Sequence, residues 1–360
     1  MDGAAEWLEH CIPDVVATDD LPVALAADVD FLAGRFDRWK ESSHEVTVAM
    51  SARSLAFLDR REEAIDALAG LDVGELDERD LAAACWAASR VGGAAMQPLL
   101  QRLAVIDGEF LGGVLPAGPV ALFAGMLHGA IGDLESAATE LAHAVQCGDT
   151  RAPLWGALAR LELARTLRTA EALPLAGVSA ARPVLQAART FFAAGGYRSL
   201  SSRTAELDDP VEAIFDISGP CHIGFGVVPP SAIRSSKGLL AIGYLLNHPE
   251  RIVTARELSI VVDGGDASEI ARLSPAVWRD RSDDDPVPVP GDVEVRLRAV
   301  FFDEGVRSRM SKLLHRTIDK IGAANRIGGM HLDASITTGH GCRYQPAGHA
   351  VAWRSGAEPR

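Results

Sequence analysis

A mainly α-helical chain, with stacked helical hairpins in its first part and a smaller α+β module in its second, is the fold class the sequence predicts. Three observations predict it. Small residues recur at helical spacing up to about residue 205. Short β-type runs broken by Gly and Pro begin only after about residue 206. The charge then reverses near residue 306, from an acidic stretch to a basic one. At 360 residues the chain is long enough for two domains, each with its own core.

Composition excludes several classes. The chain is 48% hydrophobic and 23% charged, which rules out global disorder. A formal net charge of −14 excludes a chain that is basic all over but leaves room for a local basic patch. The five cysteines, Cys11, Cys85, Cys147, Cys221 and Cys342, are odd in number and widely spaced, with no C-x-x-C. Neither a disulfide framework nor a structural zinc site is expected from them. Free thiols, and an acidic start without a basic segment and apolar run, predict a cytoplasmic protein.

The elements follow in order. Ser51–Leu71 reads as a helix, a turn at Asp59 and a second helix, with Ala52, Ala64, Leu68 and Leu71 facing inward. Leu81–Ile106 is a weaker copy. Phe110–Gly132 is a run of 23 residues without formal charge, about the length of a membrane span. Its two prolines and six glycines favour a turn followed by a buried helix instead. Ala121–Cys147 shows the layout best: helix, Gly-Asp turn, helix, with Gly125, Gly132, Ala137 and Ala144 where packed helices must approach closely. These small positions lie 7, 5 and 7 apart, a spacing similar to that of the tetratricopeptide repeat. A further copy runs from Leu154 to near Ala194. Residues 1–205 are therefore read as a tetratricopeptide-like array of helical hairpins, with an irregular helical bundle as the alternative. Such arrays bind partners in a concave groove; a spacer or dimerisation arm is the plainer role. Residues 199–210 read as a helix end and a linker.

Residues 211–230 predict two or three strands. A helix opens at Lys237, with Leu239, Ile242, Leu245 and Leu246 as its apolar stripe, and Asn247-His248-Pro249 ends it. Thr254 and Glu257 form a capping box for a short helix with Leu258, Val261 and Val262 buried. Residues 263–304 hold eleven acidic and five basic residues and read as a loop or insert, with one strand possible over Val293–Val300. A helix follows whose apolar face is Val306, Met310, Leu313, Leu314, Thr317, Ile318 and Ile321. Arg309, Lys312, Arg316 and Lys320 form one stripe on it. Gly328-Gly329 breaks the pattern, and residues 335–346 read as a β-hairpin with Gly339-His-Gly341 at the turn. The tail is 347–360.

Sheet, helix, capped helix, basic helix and hairpin together resemble a winged helix-turn-helix of the response-regulator effector type, so 206–346 is read as an α+β winged-helix domain. Lys237-Gly238-Leu239, Tyr244-Leu245-Leu246, His248-Pro249 and Val306-Arg-Ser-Arg-Met-Ser-Lys312 carry a closer likeness. His331-Leu332, Ile336, Thr338-Gly339 and Cys342-Arg-Tyr-Gln-Pro346 extend it. These residues resemble a C-terminal module of actinobacterial transcriptional regulators that carry an ATPase and tetratricopeptide repeats upstream. Gly118-Pro119-Val120 leading into the Ala121 hairpin resembles their last repeats. The chain departs from them in having no G-x-x-x-x-G-K-[ST] and no long charged helix within 263–304. The resemblance implies a DNA-binding transcriptional regulator, with double-stranded DNA as partner and the repeat groove as a place for a protein partner.

The residue types suit that function. Cations on one stripe neutralise phosphates, and arginine also addresses guanine edges. The candidate DNA-binding residues are Arg307, Arg309, Lys312, Arg316, Lys320 and Arg343. A solvated helix face is the plainer reading of the stripe. His315 is read as a surface residue. His331, His340, Cys342 and His349 are near neighbours in sequence, but nothing in their spacing requires a metal. No G-x-S-x-G, H-E-x-x-H or G-x-G-x-x-G occurs, so no enzyme activity and no cofactor are expected. The alternative function is a non-catalytic interaction scaffold whose winged helix docks protein rather than DNA.

Overall fold

The computed structural model describes residues 47–112, 117–173, 180–264, 304–339, 341–346 and 351–355. It is mostly helical with small sheets. Two compact units form, one of the described residues up to Val211 with Phe225–Pro230, the other of Glu212–Gly224 and those from Ser231 onward.

The first unit begins with α1 (Val48–Phe57), α2 (Arg61–Ala69), α3 (Glu78–Val91) and α4 (Met96–Leu103). A two-residue ladder of β1 (Phe110–Leu111) and β2 (Gly118–Pro119) precedes α5 (Val120–Ala130). Then come α6 (Leu134–Arg151), α7 (Pro153–Glu171), α8 (Ala181–Ala194) and α9 (Arg198–Glu206). Each helix packs on the next, and α1 also packs on α3 and α3 on α5. Side chains start several of these helices: Thr47 accepts from the Met50 amide, Asp77 from Arg79 and Asp80, Asp133 from Ser136.

The α5–α6 hairpin matches its sequence pattern closely. Ala137, Leu141 and Ala144 are fully buried, and a Cβ on Gly125 would stand 2.6 Å from Leu141 Cγ. Gly132 lies in the expected Gly-Asp turn but not at a close approach of the two helices. It sits in the turn at φ +85°, so it serves backbone conformation and not helix approach. Asp59 occupies the turn between α1 and α2, at φ +61°. The β1–β2 ladder is an addition to a region read as purely helical; it leads directly into the buried helix α5. No helix among the described residues is long and apolar enough to cross a membrane.

One core runs through this unit. Trp86 of α3, 1% exposed, stands edge-on to Phe57 of α1 and Phe123 of α5. Polar groups also bridge distant helices. Arg90 of α3 donates to Glu162 of α7 at 2.6 Å, and Arg165 supports the same carboxylate at 3.1 Å. The guanidinium of Arg203, in α9, lies 4.4 Å from the centroid of the Phe57 ring. Burial, and then the charge of Arg90, pull the pKa of Arg203 down to about 10.

Next in the chain come β3 (Val211–Asp216), β4 (Cys221–Phe225) and β5 (Val228–Ile233), of which Val211, Phe225 and Val228–Pro230 belong to the first unit, and then, in the second, α10 (Lys237–Asn247), β6 (Val253–Thr254) and α11 (Ala255–Val262). After the insert come α12 (Glu304–Ala324), α13 (Arg326–Ser335), β7 (Ile336–Thr337), β8 (Gly341–Tyr344) and β9 (Val351–Ser355). Helices α10, α11 and α12 pack against one another over a second core, which includes Leu239, Ile242, Leu245, Leu258, Leu314 and Ile318. The sheets have strand orders β5-β4-β3-β9 and β6-β8-β7. In the smaller one, Ile336 faces Tyr344 and Val253 faces Cys342 in antiparallel register.

Four local expectations change here. The capping box is half formed. The Glu257 amide donates to Thr254 Oγ1 at 3.1 Å, but the Glu257 carboxylate does not return to the Thr254 amide. It is fully buried, and its Oε1 accepts from Tyr244 Oη at 2.6 Å and Arg251 Nη2 at 2.8 Å. A buried carboxylate is held better by a guanidinium than by one amide. Glu257 thus takes a place on the buried side of α11, where Val261 is only half-buried.

Gly328 and Gly329 do not end the helical pattern; they lie inside α13. The break is one residue, Asn325, whose Oδ1 accepts from the Gly328 amide and whose Nδ2 donates to Ile223 O. Gly329 allows α13 to cross α12, since a Cβ there would lie 2.4 Å from Gly322 Cα. Gly341 belongs to β8 and not to a turn, with a Cβ position 2.4 Å from Ile252 Cγ2. Within the stretch read as a tail, Val351–Ser355 forms β9 beside β3. Trp353 anchors it by donating to Tyr344 Oη at 2.8 Å and standing edge-on to Phe215. The strand expected over Val293–Val300, and most of the insert, lie outside the described residues.

Thr254→Ala removes the acceptor at the start of α11. A loss of about 1 kcal/mol in stability is expected, read as a lower denaturant midpoint and faster hydrogen exchange at the Glu257 amide. Unchanged exchange there would show that the Thr254 hydroxyl is no cap.

Candidate nucleic-acid interface

Helix α12 carries five of the six candidate residues, and Arg343 lies on β8. Met310, Leu314, Thr317, Ile318 and Ile321 are buried, while Val306 and Leu313 are half-buried at the edges of that face. Arg309, Lys312 and Arg316 are exposed. Gly238, in the first turn of α10, sets how this helix is neighboured. A Cβ there would fall 1.9 Å from Thr317 Oγ1, so only glycine lets the first turn of α10 lie on α12. The adjacent Lys237 is thereby brought to the cations of α12.

A cleft of about 310 Å³ results between α11 and α12, lined by Lys237, Ser259, Asp263, Arg309, Lys312 and Arg316. Val262, Met310 and Leu313 supply its apolar wall. Arg309 Nη2 donates to Ser259 Oγ at 2.7 Å, and Lys237 Nζ to Asp263 Oδ1 at 2.8 Å. The hydrogen bond and charge of Lys237, and then the charge of Arg309, hold the Asp263 carboxyl below the usual carboxylate range. Lys312 and Arg316 have no hydrogen-bond or ion-pair partner among the described residues. Among the described residues that line the cleft, four cations therefore face one carboxylate, and Arg309, Lys312 and Arg316 are exposed.

The other three candidates stand apart from this cleft. Arg307 is half-buried and pairs with Glu304 one turn earlier, at 2.5 Å. Lys320 is turned to the carbonyl of Arg234. Arg343 is half-exposed on β8, on the face opposite the buried Cys342 and Tyr344. His315 is exposed, with Nδ1 2.8 Å from Ser311 O of its own helix. Ser311 Oγ in turn donates to Thr338 Oγ1 at 3.2 Å, which ties α12 to the β7–β8 hairpin.

Lys237, Ser259 and Asp263 were not among the candidates. They are far from α12 in sequence, and only the packing of α10 and α11 brings them in. Their one sequence signal is position, Lys237 opening a helix and Asp263 closing one.

His331 is fully buried, its Nε2 3.0 Å from Tyr344 Oη and its ring packed near Trp353. His340 and His349 lie outside the described residues. Among the described residues no three His, Cys, Asp or Glu side chains converge as ligands for a metal. Cys85, Cys147, Cys221 and Cys342 are free and buried, and burial pushes the Cys221 and Cys342 thiols up to about 11. No protein-family model, curated protein or solved structure matches the chain.

Proposed function

We propose that the chain is a DNA-binding transcriptional regulator, its second unit a winged helix-turn-helix with α12 as the helix that meets duplex DNA. The observation that carries this reading is the gathering of Arg309, Lys312 and Arg316, exposed, with Lys237 around one cleft. The order α10, α11, α12 and then the β7–β8 hairpin, with β6 completing its sheet, suits the fold. Helix α13, between α12 and the hairpin, is an addition to that plan. In the same reading the first unit is a tetratricopeptide-like array that receives a protein or signal. The consecutive hairpins, with α1 on α3 and α3 on α5, support it.

The test is a salt titration. Each phosphate neutralised contributes a slope of about −0.9 to log affinity against log salt on B-DNA. Lys312→Ala is expected to weaken binding to every duplex and to flatten that slope by about one. Arg309→Ala or Arg316→Ala is expected to relax preference at one base position if it reads a guanine. A slope near zero in the parent protein would remove DNA from the reading and favour a protein-docking module.

A further inference from the structure

We propose that Asp263 is a built-in phosphate mimic, its carboxylate holding the place in the α11–α12 cleft that a DNA phosphodiester takes on binding. This rests on the DNA-binding reading above and adds a resident competitor to it.

The placement of Asp263 is the first support. It is the C-cap residue of α11, and its amide closes the last turn on Ser259 O and Ile260 O. A carboxylate at a helix C-terminus meets the negative end of the helix dipole, so α11 gains nothing from the charge. What holds the carboxylate is the cleft, through Lys237 Nζ at 2.8 Å with Arg309 nearby.

The second support is exposure. The Lys237 and Asp263 side chains are 66% and 57% exposed. A pair this open to water is held weakly, and an incoming anion exchanges with it at little cost. The third is the count of charge in the cleft. Among the described lining residues, Lys237, Arg309, Lys312 and Arg316 outnumber the one carboxylate, so the cleft attracts a second anion even with Asp263 in place. A phosphodiester oxygen offers Lys237 the same charge-assisted hydrogen bond as a carboxylate oxygen, and the phosphate brings with it contacts to α12 that Asp263 cannot make. The swap breaks the Lys237–Asp263 hydrogen bond and forms one from Lys237 to phosphate. Asp263 then turns to solvent, where it repels the backbone. Asp263 thereby lowers affinity for all sequences alike and makes the protein depend more on the base contacts of α12.

The experiment compares the full chain with Asp263→Asn, Asp333→Asn, Lys237→Ala and the Lys237→Ala/Asp263→Asn double variant, each binding one duplex at low salt. Asp333 is exposed on α13 and controls for net charge. Asp263→Asn is expected to bind about threefold to tenfold tighter, the size of one like charge removed near a phosphate at the surface. Asp333→Asn should gain clearly less, and the gain from Asp263→Asn should shrink when Lys237 is alanine. Equal gains from Asp263→Asn and Asp333→Asn, or a gain that ignores Lys237, overturn the inference and leave DNA binding standing. Binding by none of the proteins overturns the DNA reading itself. Pyrophosphate, titrated against the parent and Asp263→Asn and followed by the Lys237 side-chain NMR signal, then decides the cleft alone. Tighter pyrophosphate binding by Asp263→Asn supports competition for an anion, and equal binding overturns it.

Discussion

Reversing charge at Arg309, Lys312 and Arg316 together, each to Glu, is expected to abolish duplex binding while leaving the helix content unchanged. All three side chains are exposed, and the core beneath α12 is made by Met310, Leu314, Thr317, Ile318 and Ile321 instead. Surface substitutions away from buried partners cost little stability. The electrostatic change is large by comparison. The cleft passes from four cations and one carboxylate to one cation and four carboxylates. The three proposed contacts to DNA become repulsive ones, and the salt dependence expected of the parent is lost with them. Gel shift or fluorescence anisotropy reads the binding, and far-UV circular dichroism the helix content. Binding equal to the parent would make α12 a solvated face, and the interaction-scaffold reading would take first place.

The largest effect on stability is expected at the crossing of α6 and α7. A Cβ on Gly148 would lie 2.3 Å from Gly156 N and 2.4 Å from Gly156 Cα. Both neighbours are backbone, so no side chain can swing aside, and the two helices must separate. Overpacking of this kind costs about 1–3 kcal/mol and sometimes more. Gly148→Val is expected at or above the upper end of that range, measured as a shift of the denaturant midpoint. Gly219→Ala is the control, because its Cβ would meet nothing within 4 Å and its φ is not positive. A Gly148→Val midpoint equal to the parent's would mean that the helices do not approach as described.

The α5–α6 hairpin and the three core helices of the second unit were legible in the sequence, because their apolar spacing and their burial follow the same helical period. What escaped were facts of tertiary contact. Gly328 and Gly329 look like a helix break when read locally, and only the crossing of Gly322 and Gly329 explains them inside α13. The Thr254–Glu257 pair looks like a complete capping box until Arg251 and Tyr244 claim the carboxylate. Val351–Ser355 is too short to declare itself; its register depends on Trp353 finding Tyr344 and Phe215. The cations of α12 could be placed on one stripe from spacing alone. That Lys320 and Arg307 are engaged elsewhere, while Lys237 joins the others, depends on carbonyl and carboxylate groups that periodicity does not see.

The contact of Arg203 with Phe57 bears on how the first unit comes apart. In a linear stack of helical hairpins each member touches only its neighbours, so the ends fray first and the middle survives alone. Here one side chain of the last described helix of the unit, Arg203, lies against a ring of the first, and the Arg90–Glu162 pair joins α3 to α7 within that interval. Loss of α9 is therefore expected to uncover the face of the Phe57 ring that Arg203 covers. Such a closure is made between residues remote in sequence, so it forms late and slows folding. Once made, it favours one cooperative transition over a ladder of separate melting steps.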